Sequence, residues 1–226
     1  LIYSGGDKLF LPVENIELLT RYGSEGSETT LDKLGGVAWQ ARKSRLKKRI
    51  RDMADALIKV AAARALKTST PLSLDEGVYD EFAARFPFDE TEDQLTAIDA
   101  ISDDLSSGRP MDRLVCGDVG FGKTEIAIRA AFKAVADNKQ VAILVPTTIL
   151  ALQHYKTFKK RLADFPVTVD YINRFKTKQQ QKDTLKRLSE GKVDIIIGTH
   201  RIVGKDVAFK DIGLLIIDEE QNLVCL

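Results

Sequence analysis

Eight consecutive residues, Gly117-Asp118-Val119-Gly120-Phe121-Gly122-Lys123-Thr124, match the pattern G-x-x-x-x-G-K-[ST] at every specified position. Glycines let the backbone curl so that successive N–H groups face phosphate oxygens. The Lys123 ammonium can reach the β and γ phosphates, and the Thr124 hydroxyl can ligate Mg²⁺. A helix opening at Thr124 would add its positive end. Such a loop needs a carboxylate partner at the end of a later apolar strand. Leu214-Leu215-Ile216-Ile217-Asp218-Glu219-Glu220-Gln221 supplies one. Asp218 would hold the magnesium, through water, and Glu219 would orient or deprotonate the attacking water. The two motifs together point to ATP with Mg²⁺ as cofactors.

Upstream, Phe86-Pro87-Phe88 followed by Gln94 suggests a base pocket. The glutamine amide can donate to and accept from the adenine edge, and an aromatic ring such as Phe88 can stack on it. The alternative is a core Phe pair with a surface Gln capping a turn. Two further stretches, Val145-Pro146-Thr147-Thr148 and Gly198-Thr199-His200-Arg201, end strands with hydroxyl residues that open helices. They would lie at the carboxyl edge of the sheet, where such folds bind ligands. Hydroxyls and backbone N–H groups there suit phosphodiester contacts that read no bases. Helix capping by Thr147 and Thr199 is compatible with that use.

The elements that must position these residues follow from periodicity. Strands are expected at Leu114–Cys116, Val141–Val145, Val167–Ile172, Asp194–Ile197 and Leu214–Ile217, with helices at Thr124–Ala136, Thr148–Leu162 and Lys178–Glu190. Apolar strands alternating with helices predict an α/β fold, a parallel sheet covered by helices. Before it, Trp39, Leu46, Ile50, Met53, Leu57 and Val60 recur at helical spacing, so one long amphipathic helix should run from Trp39 to about Leu66. Between Arg42 and Arg51 seven of ten residues are basic. That half is either a solvated helix face or a surface for a phosphate backbone or an acidic partner. Residues 8–13 read as a short strand and 22–30 as a Gly/Ser/Glu-rich linker. The expected division is 1–24, a remnant of a small β domain; 25–68, linker and basic helix; and 69–226, the nucleotide-binding lobe.

Composition narrows the class further. At 226 residues, 44% hydrophobic and 30% charged with net charge +1, the chain is globular in balance and has no run long enough to span a membrane. Two cysteines without metal-ligand spacing imply a reducing, cytoplasmic setting. The start has no initiator Met and reads as a piece of a longer chain.

The set FPF..T..Q, CGDVGFGKTE, VPTTILALQHY, INRF, GTHRI and DEEQ resembles the first motor lobe, a RecA-like P-loop NTPase lobe, of the superfamily 2 DNA translocases. Within them it is most similar to the bacterial transcription-repair coupling factors, and next to the helicases that remodel branched forks. LPVENIELLTRY, LDKLGG.AW and the basic helix resemble the end of the former family's polymerase-interacting domain and its linker. The resemblance implies an ATP-driven motor on double-stranded DNA that displaces stalled RNA polymerase, with excision-repair proteins recruited through regions absent here. It also implies DNA-backbone contacts at Thr147, Thr148, Arg174, Thr199 and His200. Where that family continues with Arg-Phe-Gly after Gln221, this chain reads Asn222-Leu223-Val224-Cys225-Leu226. A second lobe with its arginine finger, worth roughly 10³–10⁵ in rate, is not in this sequence. The expectation is therefore that this chain binds ATP-Mg²⁺ but hydrolyses it weakly. A polymerase-docking module that uses nucleotide only as a structural ligand is the competing expectation.

Overall fold

The computed structural model describes residues 1–20, 33, 37–73 and 76–219, which form two compact units, 1–66 and 67–226. The expected linker at 22–30 and the residues after Glu219, including Gln221 and Cys225, lie outside the described residues.

The first unit contains a 3₁₀ turn at Val13–Leu18 and the long helix α1 (Val37–Ala65). Helix α1 matches the expected element closely, and its apolar stripe of Leu46, Ile50, Met53, Leu57 and Val60 is exposed. The strand expected at 8–13 does not form. Among the described residues only one bridge, Ile2 to Lys8, closes around a turn at Gly5-Gly6. Pro12 has no N–H to give a ladder, and the chain turns into the 3₁₀ segment immediately after it.

The second unit runs α2 (Glu76–Ala84), α3 (Glu92–Ser106), α4 (Lys123–Ala136), β1 (Gln140–Leu144), α5 (Thr148–Arg161), β2 (Val169–Ile172), α6 (Lys178–Ser189), β3 (Ile195–Gly198), a 3₁₀ turn at His200–Val203, and β4 (Ile212–Ile217). The four strands are parallel in the order β2-β3-β1-β4. Successive side chains along a strand point to opposite faces. Val141, Ile143 and Val145 accordingly pack with Ile126, Phe132, Ala151 and Phe158 from α4 and α5. Ala142 and Leu144 pack on the other face with Ile172, Leu188 and Ile202. Burial on both faces makes β1 and β3 near-continuous apolar runs, as a covered parallel sheet requires. Polar residues set where helices begin. Thr91 with Gln94, and Thr177 with Gln180, form reciprocal caps at α3 and α6, and the Thr147 hydroxyl accepts from the Leu150 N–H to start α5.

One expected strand is corrected. Residues 111–118 carry no regular structure, and Leu114 is 68% exposed. A strand exists only with a ladder partner. The partner of β4 among the described residues is β1, on one side. Leu114–Cys116 and the open side of β4 line one cleft of about 1110 Å³ instead of pairing.

Gly198 shows how tightly the carboxyl end of the sheet is packed. A Cβ there would sit 2.7 Å from the Ile172 carbonyl oxygen and 2.7 Å from Ile202 Cγ2. Because a backbone atom cannot rotate away, Gly198→Ala should destabilise the unit by about 1–3 kcal/mol. A denaturant midpoint equal to that of the parent chain would show that the end of β3 yields.

Candidate functional site

The phosphate-binding motif forms the turn that leads into α4. Gly120 and Gly122 have φ of 87° and 73°, the left-handed region open to glycine, and Gly122 is the residue from which α4 starts. The Lys123 ammonium folds back along the loop, donating to the Gly117 carbonyl and, at 2.7 Å, to the Asp118 carbonyl. Gly117, Asp118, Val119, Lys123 and Thr124 all line the cleft beside β4.

Asp218 and Glu219 reach the same cleft from the end of β4. The Asp218 N–H donates to the Leu144 carbonyl at 2.9 Å, which ties its backbone to the end of β1. Its carboxylate lies 2.6 Å from His154 Nε2 on α5. That hydrogen bond holds the Asp218 carboxyl below its usual range against the opposing effect of burial. The His154 charge, the Glu219 backbone N–H and the Lys123 charge add to the lowering. Glu219 has φ of 55°, a left-handed conformation that a non-glycine residue seldom adopts and that clusters at functional sites. The Thr124 hydroxyl and the Asp218 and Glu219 carboxylates are hard oxygen donors on one cleft, the ligand type Mg²⁺ takes. Among the described residues no group of three or more His, Cys, Asp or Glu is arranged to hold a metal. Thr124 and Asp218 could each give one oxygen to a divalent ion that keeps water or phosphate oxygens as its other ligands.

At the expected base pocket, both ends of the Gln94 amide are engaged. Its Oε1 accepts from the Thr91 N–H at 3.0 Å, and its Nε2 donates to the Phe121 carbonyl at 2.9 Å, so it ties the cap of α3 to the phosphate loop. Phe88 is 71% exposed and meets Phe86 edge-on at 5.5 Å. Neither Phe88 nor Gln94 lines the cleft that holds Lys123 and Asp218.

The remaining site residues fall on a single edge. The last residues of the strands, Ile172, Gly198, Leu144 and Ile217, are aligned by the ladder register. Just beyond that line come Arg174 after β2, Thr199 and His200 after β3, Thr147 and Thr148 after β1, and Asp218 after β4. At ~4.8 Å per strand this row spans roughly 14 Å. Arg174, Thr147 and His200 are exposed, and Thr148 and Thr199 half-buried. The loop bearing Arg174 is held from below. Asn173 Oδ1 accepts the Phe175 and Lys176 N–H groups, and the Lys176 ammonium reaches the buried Asp170 at 2.6 Å.

Two sets of residues had no role in the sequence reading. His154 stood inside a quoted motif, yet its partner Asp218 is 64 positions away. Glu125 is buried between two arginines, with Arg161 Nη2 at 2.9 Å and Arg129 Nε at 3.1 Å, while Arg129 also pairs with Glu90. Its position directly after Thr124 in the first turn of α4 was the available signal.

The family profile described as DEAD/DEAH box helicase matches residues 91–224. The transcription-repair-coupling factor of Bacillus subtilis (strain 168) is 54% identical over 221 residues, 97% of this chain and 19% of that protein. The factor of the same name from Myxococcus xanthus is 50% identical over 223 residues, 98% of this chain and 19% of that one. This chain thus spans about a fifth of the length of these relatives. Among solved structures, RecG bound to a three-way DNA junction superposes with a TM-score of 0.71 at 30% identity, covering 96% of this chain and 30% of that one.

Proposed function

From the premise that the chain belongs to the DEAD/DEAH box helicase family, we propose that its second unit is the nucleotide-binding lobe of an ATP-driven translocase on double-stranded DNA. Its role would be in transcription-coupled repair, displacing RNA polymerase stalled at a lesion, with excision-repair proteins engaged through regions outside this chain. The observation that carries the reading is the common cleft. Lys123 and Thr124 from the loop, and Asp218 and Glu219 just after β4, line the same cleft, which runs along the open side of β4.

In this reading Lys123 leaves the Gly117 and Asp118 carbonyls to neutralise phosphate charge, and loop N–H groups and the start of α4 cradle the rest. Magnesium, when bound, screens the charge that develops on the phosphates. Asp218 and Thr124 would hold it, and Glu219 would orient the attacking water. Gln94 would contact adenine by releasing Phe121, and Phe88 would cover the base. Thr147, Thr148, Arg174, Thr199 and His200 would take successive phosphates of the DNA backbone, without reading sequence. The similarity to the structure of RecG on a DNA junction favours a second reading, a fork-remodelling helicase. The higher identity to the coupling factors ranks it below the first.

Equilibrium titration with a fluorescent ATP analogue and Mg²⁺, with and without double-stranded DNA, tests the proposal. Binding in the micromolar to millimolar range, strengthened by DNA and losing that gain as salt rises, is the expected outcome. Absence of nucleotide binding would overturn it.

A further inference from the structure

Helix α5 touches the site at three places. Its first turn is capped by Thr147, on the row of strand ends. Two turns on, roughly 10 Å along the axis, His154 Nε2 meets the Asp218 carboxylate at 2.6 Å. In its last turn Arg161 Nη2 donates to Glu125, next to Thr124, at 2.9 Å and to the Phe82 carbonyl at 2.9 Å.

The His154 ring is fixed in orientation. Its side chain is only 12% exposed and meets the buried Phe158 edge-on at 6.3 Å. An ionised carboxylate only accepts, so Nε2 must be the protonated nitrogen and donate to Asp218 Oδ2. Asp218 Oδ2 is thus engaged by the ring. The Glu219 backbone N–H also reaches the Asp218 carboxylate, and the Asp218 N–H donates to the Leu144 carbonyl. His154 is the side chain hydrogen-bonded to this carboxylate and helps to set its direction from α5, and partners of this kind orient ligating groups.

We propose that His154 is a positioning residue, which aims the Asp218 carboxylate into the cleft and makes α5 the link between phosphate contacts at Thr147 and Thr148 and the nucleotide site. This rests on the functional reading above. A DNA backbone seated on the start of α5 shifts the helix, and His154 carries the shift to Asp218. Nucleotide and DNA then affect each other's binding by the same factor.

The test uses the 226-residue chain and two variants. His154→Phe keeps the ring against Phe158 and removes the donor, while His154→Gln restores an N–H donor at similar reach. Affinity for a fluorescent ATP analogue is measured with Mg²⁺, with a chelator, and with Mg²⁺ plus double-stranded DNA. The expected result for His154→Phe is parental affinity in chelator, about tenfold loss of the Mg²⁺-dependent gain, and loss of the DNA effect. His154→Gln should recover most of both. If His154→Phe keeps the Mg²⁺ gain and the DNA effect, the positioning role is wrong while the functional reading stands. Equal weakening with and without Mg²⁺, unrelieved in His154→Gln, would mark a merely structural role and also overturn the inference. If the parent chain binds no nucleotide at all, both fall together.

Discussion

Lys123→Ala should weaken ATP-Mg²⁺ binding by roughly 100-fold, about 2.7 kcal/mol, with the fold intact. The size follows from what the side chain does in each state. Without nucleotide its ammonium donates to two carbonyls of its own loop, Gly117 and Asp118. Water can replace it on those exposed oxygens, so truncation leaves no buried group unpaired and costs the fold within about 0.5 kcal/mol. With nucleotide the same ammonium would face multiply charged phosphate, where charge-assisted hydrogen bonds are about twice as strong as neutral ones. Parallel titration and thermal unfolding of parent and variant check both halves. A variant that binds like the parent removes Lys123 from the site, and one that unfolds early shows that the loop supports the core.

The glycine turn at 117–124 and the carboxylates after β4 are legible as a shared cleft lining because each is a contiguous motif whose conformation is local. Gly120 and Gly122 take the turn that their missing Cβ allows, and Asp218 follows an apolar strand. Strands β1, β2, β3 and β4 were legible from β-branched runs, with ends displaced by up to two residues. Leu114–Cys116 misled because a β-like composition states a preference, whereas a strand requires a partner at ladder distance. The Gln94 cap on α3 is local, three residues from Thr91, and agrees with the alternative of a capping glutamine, whereas its hold on Phe121 appears only when residues 27 positions apart meet. The His154–Asp218 pair and the Arg161 and Glu90 contacts of the Glu125 cluster escape a sequence reading for the same reason. Their chemistry comes from pairing between helices and strands distant in sequence.

Glu125→Ala should be the most destabilising of the substitutions considered, at about 3–5 kcal/mol. The Glu125 side chain is 8% exposed and lies between Arg161, 10% exposed, and Arg129, 4% exposed. The guanidiniums also stack near aromatic rings, Arg161 4.1 Å from the centre of Phe82 and Arg129 5.6 Å from that of Phe86. Without Glu125, Glu90 still partners Arg129, but Arg161 keeps only the Phe82 carbonyl and the ring faces for a charge already withdrawn from water. For a unit of this size the loss corresponds to a fall in Tm of roughly 6–20 °C. Glu125→Gln keeps an acceptor and the shape, so its cost should be smaller, near the ~1.5–3 kcal/mol of a hydrogen bond to a charged group. Adding Arg161→Ala to Glu125→Ala should return part of the loss, because the stranded charge goes with it. If the double variant is instead as unstable as the sum of the singles, the pair is not coupled and packing alone explains Glu125. The coupling matters to the site because Glu125 follows Thr124 in the first turn of α4, and Arg161 ends α5. The ion pair thus ties the helix that follows the glycine turn to the helix that starts beyond Thr147 and carries His154.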